Sequence, residues 1–350
     1  MKLRDCLTDI TPYVPGKLKK GAIKLASNEN VLGPAKSVIK KIKKYAKNVH
    51  IYPDTNCKVL KNKLAQKYSL RSEQFIFGNG TDEVLLFIAG AYMEQGLNAV
   101  TAKVTFSEYT FATKLFSGKM KYAALKNGKF DLNEIENQID EMTRIIFICN
   151  PNNPTGTYLT DNELSQFINN IPKDILIVID EAYNEYAEAK DFPNSIEYLN
   201  SYNNVIVLRT FSKIYGLAGL RIGYGISSPQ IIADMHKTKE PFNVNIIAQE
   251  AAITALDDEE HVKKSQQMNE EGKHFIYKEL DKLNIQYYPS QANFVFFYVN
   301  RDCKQLFEEL MDMGVTVRPM KAFNTDCIRI TVGTKEHNQK FISLLKNALS

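Results

Sequence analysis

No run in the 350-residue chain is long and apolar enough to span a bilayer, and Met1 to Pro15 mixes charges with turn formers where a signal peptide would carry an apolar stretch. Cysteine is scarce. Cys6, Cys57, Cys149, Cys303 and Cys327 are odd in number, scattered and without paired short spacings, which argues against a disulfide framework or a zinc site and suits reduced thiols in a cytoplasm. His50, His236, His261, His274 and His337 form no ligand-spaced pair either, so no metal is expected. The net charge of +4 is too small to argue for nucleic acid. Lysines crowd residues 36–47, but Val38, Ile39, Ile42 and Tyr45 recur among them at helical spacing, the pattern of a solvated helix face. Repeats and low-complexity segments are missing too.

What is present is an alternation. Between Phe75 and Tyr224, apolar strand-like runs alternate with helical patterns, which predicts an α/β fold built on a mainly parallel sheet with helices on both faces. Seven strands are expected, beginning near Phe75, Ala99, Lys121, Arg144, Ile175, Val205 and Gly223. Pro241 then breaks the pattern, and a polar helical segment from about Ile246 to Leu283 leads into a smaller α+β unit. Its expected elements are a strand from Ala292 to Val299, a helix from Lys304 to Met313, strands from Val315 to Arg318 and from Cys327 to Thr331, and a final helix. The predicted division is a large domain over 31–245 and a small one over 246–350, joined by an N-terminal arm, 1–30.

Four motifs fall at the carboxyl ends of predicted strands, where ligands bind in open α/β sheets. In VIVLRTFSKIYGLAGLRIG, Val205 to Gly223, Lys213 offers an amine, Thr210 and Ser212 offer hydroxyls, and Arg221 offers a planar fork of donors suited to a phosphate. In FGNGTDEVLLFIAGAY, Phe77 to Tyr92, a strand runs through Asn79-Gly80 into a helix capped by Thr81 or Asp82, whose free N–H groups make a phosphate seat. A third dinucleotide-fingerprint glycine is lacking. In ICNPNNPTG, Ile148 to Gly156, two prolines hold the backbone out of helix and present asparagines that can donate to a phenolic oxygen. In ILIVIDEAYNEY, Ile175 to Tyr186, an apolar strand delivers Asp180 to a dry sheet end, where a buried carboxylate needs a cation such as a protonated pyridine nitrogen; Tyr183 follows three residues later. Each motif also has a plain structural reading as a turn, cap or loop. Together a Schiff-base lysine, a phosphate cup, a ring-hydroxyl donor and a pyridinium partner suggest pyridoxal 5'-phosphate. Tyr109, in FSEYTF, is either the aromatic face on which the ring stacks or a core tyrosine.

These segments, with LASNENVLGP near Leu25, HIYPD near His50 and CIRITVG near Cys327, resemble the fold type I pyridoxal-phosphate-dependent transferases, specifically the class I/II aminotransferases, over nearly the whole chain. PYVPGK at Pro12, RPM at Arg318 and RITVG at Arg329 are similar to the histidinol-phosphate branch of that family. The resemblance implies that Lys213 holds the cofactor covalently and shuttles a proton, Asp180 pairs with the pyridine nitrogen, and Asn153 and Tyr183 hold the ring oxygen. Gly80, Thr81, Asp82, Thr210, Ser212 and Arg221 would surround the phosphate, joined by Tyr52 from the second subunit of a homodimer. Arg329 would grip the substrate α-carboxylate, and Arg318 and Tyr13 would meet a substrate phosphate. The family's usual proline after LASNEN is replaced by Val31-Leu32, and few histidines or acidic residues are assignable to an imidazole ring. The implied reaction is ping-pong transfer between glutamate and imidazole acetol phosphate. An aminotransferase for aromatic amino acids or another phosphorylated ketone, and a decarboxylase of phosphorylated amino acids, share these motifs. A non-catalytic regulator would need a DNA-binding domain for which the arm is too short.

Overall fold

The computed structural model describes residues 1–8, 10–12, 17 and 19–349. All seven expected strands form, as β1 (Phe75–Gly78), β2 (Asn98–Ala102), β3 (Lys119–Ala123), β4 (Thr143–Cys149), β5 (Leu176–Asp180), β6 (Val205–Thr210) and β7 (Gly223–Ser227). They make one sheet in the order β1-β7-β6-β5-β4-β2-β3. Only β7 runs against its neighbours. β5, β6 and β7 are buried along their whole length, as expected of strands covered on both faces. Register aligns the strand ends that matter: Cys149 of β4 lies opposite Asp180 of β5, which lies opposite Leu208 of β6.

Helix α1 (Gly80–Tyr92) follows β1, and α2 (Glu108–Leu115) follows β2. The predicted continuous helix from Ile246 to Leu283 is two helices, α3 (Ile246–Ala255) and α4 (Glu259–Lys282). Asp258 separates them by accepting the His261 N–H at 3.1 Å, so a side-chain cap begins a new helix where the sequence pattern ran on. Ala248, Ala251, Ala252 and Ala255 of α3 join the core of the large sheet.

A second core gathers Val295, Phe297, Leu306, Leu310, Ile328, Ile330 and Phe341, together with Leu25 from the arm. Its sheet, ordered β8-β9-β11-β10, comprises β8 (Tyr287–Tyr288), β9 (Phe294–Tyr298), β10 (Arg318–Ala322) and β11 (Thr325–Thr331), all antiparallel. Helices α5 (Cys303–Asp312) and α6 (Lys335–Leu349) complete the unit. The expected strand from Val315 to Arg318 divides. Val315–Thr316 pairs in parallel with Ile23–Lys24 of the arm, while Arg318 opens the β10–β11 hairpin. The Leu25 N–H bonds Thr316 O, and the Thr331 N–H bonds Leu25 O, both at 2.8 Å, which carries the arm to the mouth of the sheet. No helix among the described residues is long and apolar enough to cross a membrane.

Candidate active site

A cavity of about 610 Å³ opens at the carboxyl ends of β1, β4, β5 and β6, and the second sheet and the arm supply its far wall. Its lining brings together Gly80, Thr81, Asp82, Asn153, Asp180, Tyr183, Thr210, Ser212, Lys213, Arg221, Arg318 and Arg329. At one end the chain turns from β1 into α1. Neither Thr81 nor Asp82 caps this helix: Asn79 precedes its first residue, no side chain among the described residues bonds its first-turn donors, and the Glu83 carboxylate takes the Asn79 N–H at 2.7 Å. The first-turn N–H groups therefore remain available to an anion.

Two glycines shape this end. Gly80 has φ +77°, and a Cβ there would lie 2.5 Å from Arg221 Nη2. A Cβ on Gly223 would lie 2.7 Å from Thr81 N, so β7 can pass beneath the turn only without a side chain. Arg221 Nη2 meets the Asp82 carboxylate at 2.9 Å, while Thr210 and Ser212 bond each other through their hydroxyls at 3.0 Å. Backbone donors, two hydroxyls and one guanidinium are thus gathered at one end of the cavity, with glycine where a side chain would crowd them.

Lys213 follows β6 and reaches across the cavity floor. Its Nζ lies 3.4 Å from Ser27 O and 5.5 Å from the centre of the Tyr183 ring. Burial pulls its pKa down to about 8, helped by the Arg329 and Arg221 charges and opposed by Glu29 and Asp82. The side chain itself remains partly accessible through the cavity, as an amine that must meet a ligand requires.

Asp180, 3% exposed, accepts from Tyr109 Oη at 2.8 Å and from the Ala182 N–H at 3.1 Å. Desolvation pushes its carboxyl up to about 6, against the lowering effect of those two donors. Tyr183 receives a hydrogen bond on its hydroxyl from Asn28 Nδ2 at 2.9 Å, which leaves its own proton to give. Asn153 Oδ1 accepts from Arg329 Nη1, which directs the amide N–H₂ elsewhere, and Arg329 Nη2 donates to Ala26 O at 3.0 Å. Arg318 and Arg329 are directly opposed across the β10–β11 hairpin, so both guanidinium groups face the cavity from one side of the sheet.

Two of the expected residues do not line the cavity. Tyr109 is fully buried beneath it, stacked on Phe147 at 4.9 Å with 5° between the rings. Its expected position as the stacking face is corrected: α2 starts at Glu108 and turns Tyr109 inward, and Phe106, edge-on to Tyr109 at 5.6 Å, stands in the cavity wall in its place. Tyr52 is 79% exposed and stacks on Phe242, away from the cavity. Tyr13 lies outside the described residues. Sequence reasoning missed Phe106, Ser27, Asn28, Glu29 and Met320. The aromatic two residues before the helix start was a usable signal for Phe106, whereas nothing local in LASNEN tells that Asn28 reaches Tyr183. Among the described residues, no cluster of three or more His, Cys, Asp or Glu side chains is placed to hold a metal ion.

The groups present fit pyridoxal phosphate: a glycine-walled anion seat at one end, a carboxylate on the floor for a ring nitrogen, an amide and a phenol for a ring oxygen, and an amine for the aldehyde. Comparison with known proteins agrees. Residues 20–345 match the family described as Aminotransferase class I and II. Histidinol-phosphate aminotransferase of Moorella thermoacetica is 44% identical, with all of this chain and 93% of that one aligned. The enzyme of the same name from Caldicellulosiruptor saccharolyticus is 43% identical over 99% of both. Among solved structures, histidinol-phosphate aminotransferase of Sinorhizobium meliloti in complex with pyridoxal-5'-phosphate superposes with a TM-score of 0.90 at 28% identity, over 95% of this chain and 92% of that one. The chain belongs to the class I and II aminotransferases.

Proposed function

We propose that the protein is a pyridoxal-phosphate-dependent aminotransferase that passes an amino group between L-glutamate/2-oxoglutarate and imidazole acetol phosphate/histidinol phosphate, a step of histidine biosynthesis. The observation that carries the substrate reading is the cross-strand pair Arg318 and Arg329, directly opposed in register and both lining the cavity that also holds Lys213 and Asp180. Such a pair suits glutamate, whose two carboxylates can each take a guanidinium, and equally a phosphorylated amino alcohol or ketone, whose single phosphate can take one or both. The names of the relatives at 44% and 43% identity support the phosphorylated substrate.

Bound pyridoxal phosphate supplies an electron sink for the pair left when a proton leaves the substrate carbon. The chain does the rest. With its pKa near 8, Lys213 has a neutral fraction at physiological pH, so Nζ can attack a carbonyl carbon and later carry the proton. Asp180 would hold a proton on the ring nitrogen, and Asn153 and Tyr183 would orient the ring oxygen. Arg329, steadied by Asn153 and Ala26, presents a planar fork to a carboxylate and so fixes the carbon that loses its proton.

Tyr52 supports a homodimer. It is exposed and stacked on the exposed Phe242, and a second copy covering this pair would let it reach the partner's phosphate seat. Five free cysteines, four of them buried, suit a cytoplasmic setting. We read the chain as two domains, with the boundary expected between 245 and 246 shifted toward the small domain and its arm. The alanines that α3 buries in the larger core favour placing the division at Leu256–Asp258.

The test is a half-reaction. Glutamate and histidinol phosphate should each bleach the visible band of the cofactor-loaded protein, and Lys213→Ala should bleach with neither while remaining folded. Faster bleaching by phenylalanine would favour an aromatic aminotransferase. Release of carbon dioxide without a keto product would replace the reading with a decarboxylase.

A further inference from the structure

Tyr109 presents a problem that the reaction as described does not solve. Its hydroxyl is sealed inside the protein, and burying a phenol is costly unless the hydroxyl has a partner. Its partner is the Asp180 carboxylate, at 2.8 Å on Oδ2. The Ala182 N–H holds the other oxygen at 3.1 Å, so the two donors together fix the plane of the carboxylate. The ring is itself clamped: it lies flat on Phe147, meets Phe106 edge-on, and its carbonyl accepts the Thr113 hydroxyl at 2.8 Å. Cys149, directly across from Asp180 in register, gives its thiol to Pro151 O at 3.4 Å.

We propose that Tyr109 is a positioning residue for the cofactor: acting through Asp180, its phenol fixes the carboxylate's orientation and keeps it ionised for the pyridine nitrogen. This rests on the pyridoxal phosphate reading above. A rigid aromatic post under the carboxylate is worth building because burial alone drives Asp180 toward its neutral form, and a neutral acid cannot hold a ring proton. Lys213, Asp82, Cys149 and Tyr183 are the other titratable groups around Asp180. Of these, Lys213 favours the ionised carboxylate and Asp82 opposes it, while Tyr109 is the side-chain donor that, with the Ala182 N–H, favours it without carrying a charge.

The experiment is a double-mutant cycle read by cofactor binding. Cofactor-free wild type, Tyr109→Phe, Asp180→Asn and the double variant are titrated with pyridoxal phosphate, and the bound chromophore is then titrated with acid and base. Losing a hydrogen bond to a charged group should weaken binding by Tyr109→Phe about tenfold. In the Asp180→Asn background the same change should cost less than about twofold, because a route through the carboxylate is already gone. The midpoint of the chromophore's pH titration should also move in Tyr109→Phe and not in the double variant relative to Asp180→Asn. Equal losses in both backgrounds, or no loss in either, would overturn the proposal in favour of simple packing. Failure of the wild type to bind pyridoxal phosphate would instead sink the cofactor reading, and with it this role. Phe147→Leu, which loosens the plate under Tyr109 while leaving its hydroxyl, is taken through the same cycle should Tyr109→Phe not fold, with the same outcomes on either side.

Discussion

Replacing Lys213 with methionine is expected to make the cofactor-free protein more stable. Lys213 sits among groups that disfavour its charge: it is buried in the cavity floor, and the Arg329 and Arg221 guanidinium groups add like-charge repulsion that Glu29 and Asp82 only partly offset. Its pKa falls from an ordinary 10.5 to about 8, which corresponds to about 3 kcal/mol of cost to the folded state whenever the amine is charged. Because solvent reaches the side chain through the cavity, about 2 kcal/mol is the expected gain for Lys213→Met at pH 7.

The pH dependence carries the sign. At pH 7 the amine is protonated in both folded and unfolded chains, and the folded state bears the whole cost. Between about pH 8 and 10.5 the folded protein has lost the proton while the unfolded chain keeps it, so wild-type stability rises with pH relative to the variant. Urea unfolding of both proteins at pH 7 and pH 9.5 measures this directly. The gap should be about 2 kcal/mol at the lower pH and close by more than half at the higher. A variant no more stable than wild type at pH 7, or a gap that does not change with pH, would refute the electrostatic account of this lysine.

Glu181 accepts Arg209 Nε at 3.0 Å and Nη2 at 2.7 Å on one oxygen, in a site where neither side chain is more than 7% exposed. Glu181→Ala strands the guanidinium and should cost about 3–5 kcal/mol in urea unfolding; a loss below about 1 kcal/mol would show the charge is relieved elsewhere. Gly216 has φ +68°, and a Cβ there would lie 2.4 Å from Gly33 O, so Gly216→Ala should destabilise by more than about 1 kcal/mol and loosen the loop that carries Lys213; unchanged stability and cofactor retention would count against this. Arg329→Lys keeps the charge but loses the planar fork held by Asn153 and Ala26, and should raise KM for glutamate about tenfold or more with a smaller fall in kcat. Steady-state kinetics with an unaltered KM would remove Arg329 from carboxylate binding.

The sequence yields the chemistry of this site more readily than its packing, for a physical reason. Asp180 ends an apolar, β-branched strand, Lys213 and Asn153 follow two others, and the Gly80 turn follows the apolar β1; a sheet covered on both faces forces such strands side by side with their ends in line. Finding the strands therefore finds the cavity. The β10–β11 hairpin resisted, because its two-residue turn is Phe323-Asn324, both at positive φ (54° and 58°), where a glycine would ordinarily advertise the reversal.

Tyr109 resisted for a different reason: one residue's rotation on a helix decides whether an aromatic faces a ligand or the core, and that rotation follows from where α2 begins. Asn28 is harder still. It meets Tyr183 only because the arm pairs with Val315–Thr316 and is bonded to Thr331, a path set by three segments far apart in the chain. Local pattern thus specifies which groups react, while the groups that aim them, Tyr109 beneath Asp180 and Asn28 beside Tyr183, come from contacts that only the folded chain creates. A change at either of these should alter how the reacting groups are held before it alters which of them are present.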